Sequence, residues 1–471
     1  MATHVQQNGS SSTSVLEVEL EPVYLSTPLS KRNSTEPQVR GKTSSNDGGT
    51  TSRQDTSSLP PPSTTTDVVQ RWNYPRKNIP RVASCFWSFI VMGANDAAYG
   101  PLIPYIQAHY GLTYLIVSLI FLSPFVGYTA AAFLNNVIHL KAGQRGVAFI
   151  SSACHLVAYI IIAVHPPYPV LVITFILAGF GNGIADAAWN AWIGNMARAN
   201  EMLGFLHGLY GVGAVLSPLI ATTMITKGNL PWYAFYYLMI GMATVEVVAS
   251  VSCFWKASGR EYRESLTKHS DSSHGSLKEA LFNQPAARVT WLCSLFLLGY
   301  VGIEVALGGW IVEFMIQVRN GEPFASGMTA TGFWLGLTIG RVVLGFVTPK
   351  LGEKLAIMIY LPITMGLELL FWLVPQFYVS AVAVGLQGFF IGPLFPAAVV
   401  AVSKLLPRHL HVGAIGFAAA FGGSGAAILP FAVGAIAQAK GVQVLQPIIL
   451  ALLGVIFLFW VGLPKMEKKK E

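Results

Sequence analysis

Asn182, Asp186 and Asn190 are spaced by four residues, which on an α-helix puts them on one face over about 12 Å. Gly179, Gly181, Gly183, Ala185, Ala187 and Ala188 surround them, so a neighbouring helix can approach closely. A carboxylate kept ionised away from water is costly. Asp186 is therefore a candidate for a group that loads and unloads a proton; the alternative is a structural aspartate bonded to the next helix. Met92, Asn95, Asp96 and Tyr99 form a second single-sided set. Asn95 and Asp96 accept hydrogen bonds from hydroxyls and Tyr99 adds a ring with a polar tip, a face suited to a polyol or sugar. The alternative there is an interhelical clasp. His207, one turn before Tyr210 and Gly211, either relays protons with Asp186 or holds helices together as a neutral donor. On a further face stand Tyr300, Glu304 and Gly308, with Trp310 beside them, and Glu304 is expected to face a cavity.

The elements that must carry these faces are long and apolar. Of 471 residues, 53% are hydrophobic and 11% charged, against about 25% charged in a soluble chain. Between Arg81 and Leu463 lie twelve stretches of about 20 residues, the length that crosses a hydrocarbon core. They fall at 82–107, 113–135, 147–165, 170–195, 202–226, 232–256, 287–316, 324–348, 354–374, 377–402, 411–437 and 442–463. An all-α polytopic membrane protein of twelve transmembrane helices is expected. Glu246 and Glu368, isolated in apolar helices, read as packing or protonated structural groups, and Glu313 as near enough to the boundary to reach water. Cys85, Cys154, Cys253 and Cys293 show no paired spacing and read as small buried apolar residues. No metal-ligand cluster, nucleophile motif or phosphate-binding loop is present, so neither an enzyme nor a cofactor or metal is expected. The net charge of +8 is explained by its distribution and does not imply nucleic acid.

That distribution sets the orientation. With a cytoplasmic N-terminus, the cytoplasmic connections include Arg76, Lys77, Lys141, Arg145, Arg198, Lys256, Arg260, Arg288, Lys350, Lys354, Lys404 and Lys465. The opposite side has Lys227, Arg319 and Lys440. Both termini are then expected to be cytoplasmic, and a plasma membrane is expected rather than a vacuole. Residues 1–78, rich in Ser and Thr, read as a disordered tail. A polar connection at 257–285 divides a six-span half at 79–256 from another at 286–463, and 464–471 is a basic tail. Sliding one half by 208 positions lays Asp96 on Glu304 and Gly100 on Gly308, which suggests two pseudo-symmetric halves.

Twelve spans in two halves, with Gly143 and Arg145 after the second and Gly345, Pro349, Lys350, Gly352 and Lys354 after the eighth, resemble the major facilitator superfamily. Gly340-Arg341 precedes the latter set. Pro349 and Asn135 or Asn136 stand where that family's signature has an acid. Within it the chain resembles the fucose–proton symporter branch, as a fungal-type member. The resemblance rests on Asn95-Asp96, on Asp186 with Asn190 after a Gly-x-Gly stretch, and on Gly308-Gly309-Trp310. It implies a monomer in the lipid bilayer that takes a small-molecule substrate and a proton, with sodium the alternative ion. By that resemblance Asp96 and Asp186 are the substrate- and proton-linked acids, while Arg145, Arg341, Lys350 and Lys354 serve gating. Substrate contacts are expected from Asn95, Asp96, Tyr99, Asn182, Asn190, Tyr300, Glu304 and Trp310, and proton coupling from Asp186, Asp96 and His207.

The expected function is a secondary active transporter of a sugar or sugar-like metabolite. A proton-antiport exporter is the first alternative, although the fifth span has Gly208, Gly211 and Gly213 but lacks the Gly-Pro of that signature, its Ser217-Pro218 coming later. A nutrient sensor of the same fold is the second.

Overall fold

The computed structural model describes residues 70–267, 276–407 and 410–466. Most of the expected tail at 1–78, the centre of the 257–285 connection and residues 467–471 lie outside the described residues. Contacts gather the described residues into one unit.

The fold is almost wholly helical. The first half comprises α1 (Asn78–Tyr110), the single turn α2 (Tyr114–Val117), α3 (Leu119–Ala163), α4 (Tyr168–Gly194), α5 (Ala199–Thr226) and α6 (Phe235–Phe254). Two short helices follow, α7 (Gly259–Thr267) and α8 (Ser276–Phe282). The second half comprises α9 (Ala286–Gln317), α10 (Pro323–Leu351), α11 (Glu353–Leu373), α12 (Phe377–Ile391), α13 (Leu394–Leu405), α14 (His411–Lys440) and α15 (Leu445–Val461).

Among the described residues, ten helices have the length and apolarity of a membrane span. One of these, 50 residues from Tyr114 to Ala163, reverses at Gly143, whose φ of 70° only glycine adopts without strain. It therefore supplies two of the expected spans. A twelfth is α1, 33 residues long, whose mean apolarity is lowered by the Asn95, Asp96 and Tyr99 set it must position. The tenth expected span is broken into α12 and α13 at Gly392-Pro393, where proline offers no N–H to continue the helix. The connection expected to be loop contains α7 instead. Ser258 and Glu261 have capping-box spacing, and Glu261 N–H reaches Ser258 Oγ at 3.5 Å.

The principal packing pairs repeat between halves. In the first, α1 packs on α5, α3 on α4, and α3 also on α6; in the second, α9 packs on α14, α10 on α12, and α11 on α15. First-with-fifth, second-with-fourth and third-with-sixth spans thus meet in both, the repeat expected from the sequence.

The halves touch at one end. A Cβ on Gly100 would run into the Gly308 carbonyl, one on Gly434 would meet Ser118, and one on Gly327 would meet Thr222. Tyr114 OH donates to Glu313 Oε1 at 3.0 Å, Trp310 lies against Tyr114 and Phe121, and Lys227 sits 4.6 Å over the Phe324 ring. Toward the end that carries Arg145, Lys350 and Lys354 the helices part. On α5 a Cβ at Gly211 still meets Thr338, but Cβ atoms at Gly208 and Gly204 would meet nothing within 4 Å. The same holds at Gly345 on α10 and at Gly423 and Gly416 on α14. A cleft between the halves is therefore closed at the sparsely charged end and open at the basic end.

Candidate functional site

Asp96 is the hub of the first half's polar residues. Its Oδ1 accepts from Asn95 Nδ2 and from Asn182 Nδ2, each at 3.0 Å, and its Oδ2 accepts from Tyr210 OH at 3.0 Å. Asn95 also donates to Tyr99 OH at 3.2 Å. Three residues on three helices thus converge on one carboxylate. Backbone proximity makes this possible: a Cβ on Gly93 would collide with the Tyr210 carbonyl, and one on Gly213 with that of Ile90. With no side chain at either glycine, α5 lies directly on α1 and Tyr210 comes within reach of Asp96.

One turn nearer the open end, Asn190 Nδ2 donates to Asp186 Oδ1 at 2.8 Å, and His207 Nε2 meets Asn190 Oδ1 at 3.0 Å. The row His207–Asn190–Asp186 leads from an exposed imidazole to a half-buried carboxylate. Tyr128 on α3 faces both Asp186 and Asp96. Among the described residues neither aspartate has a cation within ion-pair distance.

The second half is built differently. Glu304 on α9 is buried, and Arg341 Nη2 on α10 lies 3.0 Å from each of its oxygens. Tyr300 OH donates to Glu304 Oε2 and lies 3.3 Å from Arg341 Nη2. Two charged groups held this way form a fixed pair, with the Arg341 side chain 21% exposed.

The sequence-derived residues are therefore brought together in two sets, Asn95, Asp96, Tyr99, Asn182, Asp186, Asn190 and His207 in one half, Tyr300 and Glu304 in the other. Trp310 is placed apart. It is fully buried at the closed end, with its indole N–H on the Pro430 carbonyl at 2.8 Å. Arg341, grouped by sequence with the basic loop, stands inside α10 as the partner of Glu304. The loop residues bond within their own halves. Arg145 N–H reaches the Ala257 carbonyl at 3.0 Å, with its guanidinium over Trp255; Lys354 Nζ binds the Leu463 carbonyl; Lys350 is exposed.

Glu313 corrects its expectation. It is 2% exposed and, instead of reaching water, accepts a hydrogen bond from the opposite half. Tyr210, Tyr128 and the Arg341 pairing were missed by sequence reasoning. Two signals were available: Tyr210 shares the His207 face, and an arginine inside a span needs an acid.

A family model described as Major Facilitator Superfamily matches residues 85–320 and 301–471. A Saccharomyces cerevisiae protein named Bypass of stop codon protein 6 is 29% identical over 420 residues, 83% of this chain and 84% of that protein. The Glucose/mannose transporter GlcP of Bacillus subtilis is 22% identical over 350 residues, 74% and 85% of the two chains. Among solved structures, that of the transporter FucP in the outward conformation superposes with a TM-score of 0.57 at 17% identity, covering 83% of this chain and all of that one. A structure of the E. coli fucose:proton symporter gives 0.55 at 16%.

Proposed function

The chain belongs to the major facilitator superfamily of transporters, and on that footing we propose that it moves a sugar or sugar-like solute together with a proton by alternating access. The observation that carries this is an asymmetry between the halves. Glu304 is neutralised by Arg341, whereas Asp96 and Asp186 are met by neutral donors alone. A carboxylate held by amides and a phenol can take up a proton without losing an ion pair, so the protonation change falls on the first half. Asp186, next to the open end of the cleft, loads and unloads; Asp96 links that change to substrate.

Hydroxyl-rich solutes suit the opposing groups. Asn95, Tyr99, Asn182 and Asn190 offer donors and acceptors on one side, and the partly exposed Arg341 guanidinium offers donors on the other. The names of two relatives, a glucose/mannose transporter and a fucose:proton symporter, agree with that chemistry. With the basic end cytoplasmic, the state described here faces inward. Outward opening then parts Gly100 from Gly308 and Tyr114 from Glu313. Loading of proton and solute shifts the balance through their differential affinity for the two states.

The test is uptake by purified protein in proteoliposomes, with an imposed inward proton gradient and labelled hexoses, deoxyhexoses and polyols. Accumulation above equilibrium that a protonophore abolishes is the expected result. Uptake that only equilibrates contradicts the proton coupling; no uptake of any member contradicts the substrate class.

A further inference from the structure

Ser88, His155 and Glu246 form a polar cluster sealed inside the first half. Glu246 on α6 and His155 on α3 are fully buried; His155 Nδ1 lies 2.9 Å from Glu246 Oε2, and Ser88 Oγ on α1 donates to Glu246 Oε1. The other ring nitrogen is turned to α4, where a Cβ on Gly181 would come within 2.9 Å of it. The next residue is Asn182, which donates to Asp96. Two buried atoms along this path lack a partner, His155 Nε2 and Asn182 Oδ1. They are complementary when the imidazole is doubly protonated, one a donor and the other an acceptor.

An amide has one donor end and one acceptor end, and half a turn exchanges them. Ionised Asp96 only accepts, so it takes the NH2 of Asn182, and the amide oxygen then faces His155, which must present Nε2–H. Protonated Asp96 donates to the amide oxygen, which turns the NH2 toward His155 and calls for a bare Nε2. Each mismatched combination leaves buried polar atoms unpaired, at a cost. We infer that Asn182 couples the His155–Glu246 pair to Asp96 as an amide switch. An imidazolium at His155 holds Asp96 ready to accept a proton, and a neutral His155 favours protonated Asp96.

This rests on the proposed role of Asp96 in proton coupling and adds His155 and Glu246 as its positioning residues. The coupling is thermodynamic, and no covalent step passes through the amide. Other ionisable groups that face the two sites are Tyr99 from α1, Tyr128 and Tyr159 from α3, Asp186 from α4, Tyr210 from α5 and Tyr236 from α6. Across the cleft, Glu304 and Arg341 act on Tyr210 and reach Asp96 through it.

Glu246→Gln tests the switch. It keeps the side-chain shape but removes the counter-ion, so His155 becomes neutral, and 15N spectra of the same variant give its tautomer: Nε2 is bare when the glutamine oxygen takes Nδ1–H, the case in which the midpoint must move. Asp96 should then bind its proton about tenfold more tightly, one pH unit in midpoint. The reading is the infrared carbonyl stretch of protonated Asp96 against pH, assigned by its loss in Asp96→Asn. A midpoint unmoved, or displaced toward acid as an unpaired cation on His155 would give, overturns the inference. A second reading needs no variant. In 15N-histidine-labelled wild type, His155 Nε2 must carry its proton through the pH range in which Asp96 loses its own, and a bare Nε2 throughout that range overturns the inference equally. Both readings are made without substrate or gradient, so a protein that moves sugar without protons contradicts the proposed function and leaves them intact.

Discussion

Arg341 places one guanidinium nitrogen 3.0 Å from both oxygens of Glu304, while Asp96, the equivalent acid 208 positions earlier, is met by two amides and a phenol. The repeat has kept an acid in the first span of each half and given it opposite surroundings. In one half the acid is paired with a cation, and in the other it is met by neutral donors alone.

Asp186→Asn removes the one of the two aspartates that lies nearer the open end but keeps its bond geometry with Asn190. Uphill accumulation of substrate should be lost, while exchange of labelled for unlabelled substrate continues. Counterflow in proteoliposomes, with and without a proton gradient, separates the two. Intact accumulation by the variant would exclude Asp186 as the carrier.

Arg341→Ala leaves Glu304 buried and unpaired, which costs about 3–5 kcal/mol. The double substitution Glu304→Gln with Arg341→Met should recover most of that loss, because no unpaired charge is left. Thermal unfolding in detergent would give the order wild type, double variant, single variant. A single variant as stable as wild type would mean that the pair contributes nothing.

Tyr114→Phe removes the one direct side-chain hydrogen bond described between the two halves at the closed end, to Glu313. A hydrogen bond contributes about 0.5–1.5 kcal/mol, and about 1.4 kcal/mol is a tenfold change in a population. In a Ser118→Cys background, whose buried side chain sits in that seam, an impermeant thiol reagent applied from the sparsely charged side should label faster, by up to about tenfold.

Gly93→Ala puts a methyl group against the Tyr210 carbonyl. Overpacking of this kind costs about 1–3 kcal/mol, and α5 can relieve it only by moving Tyr210 away from Asp96. Substrate exchange should fall by more than the fraction of protein lost to unfolding, which size-exclusion profiles and transport assays on the same preparation would resolve. An equal fall in both would reduce the contact to packing alone.

Much of this arrangement is written at short range and was legible in the sequence. Four-residue spacing put Asn182, Asp186 and Asn190 on one face, and the same reasoning joined Asn95, Asp96 and Tyr99. Span positions followed from length and apolarity. What escaped depends on which helix faces which. Arg341 reads as a loop-proximal cation until α10 is laid against α9, and Trp310, adjacent in sequence to the Tyr300–Glu304–Gly308 face, points to Pro430 once α14 packs beside it. His155 gives no signal in isolation, because its partner Glu246 is 91 residues away. The α7 helix was hidden by its polarity, since a short charged helix and a charged loop have similar composition, although the Ser258–Glu261 spacing was there to be read.

The most direct test of the central claim is internal pH in dye-loaded proteoliposomes when a hexose is added outside with no imposed gradient. Acidification of the lumen that follows sugar entry, and is absent in Asp186→Asn, is the expected result. Saturable entry of the same labelled sugar with no change in internal pH would contradict proton coupling by the first-half carboxylates.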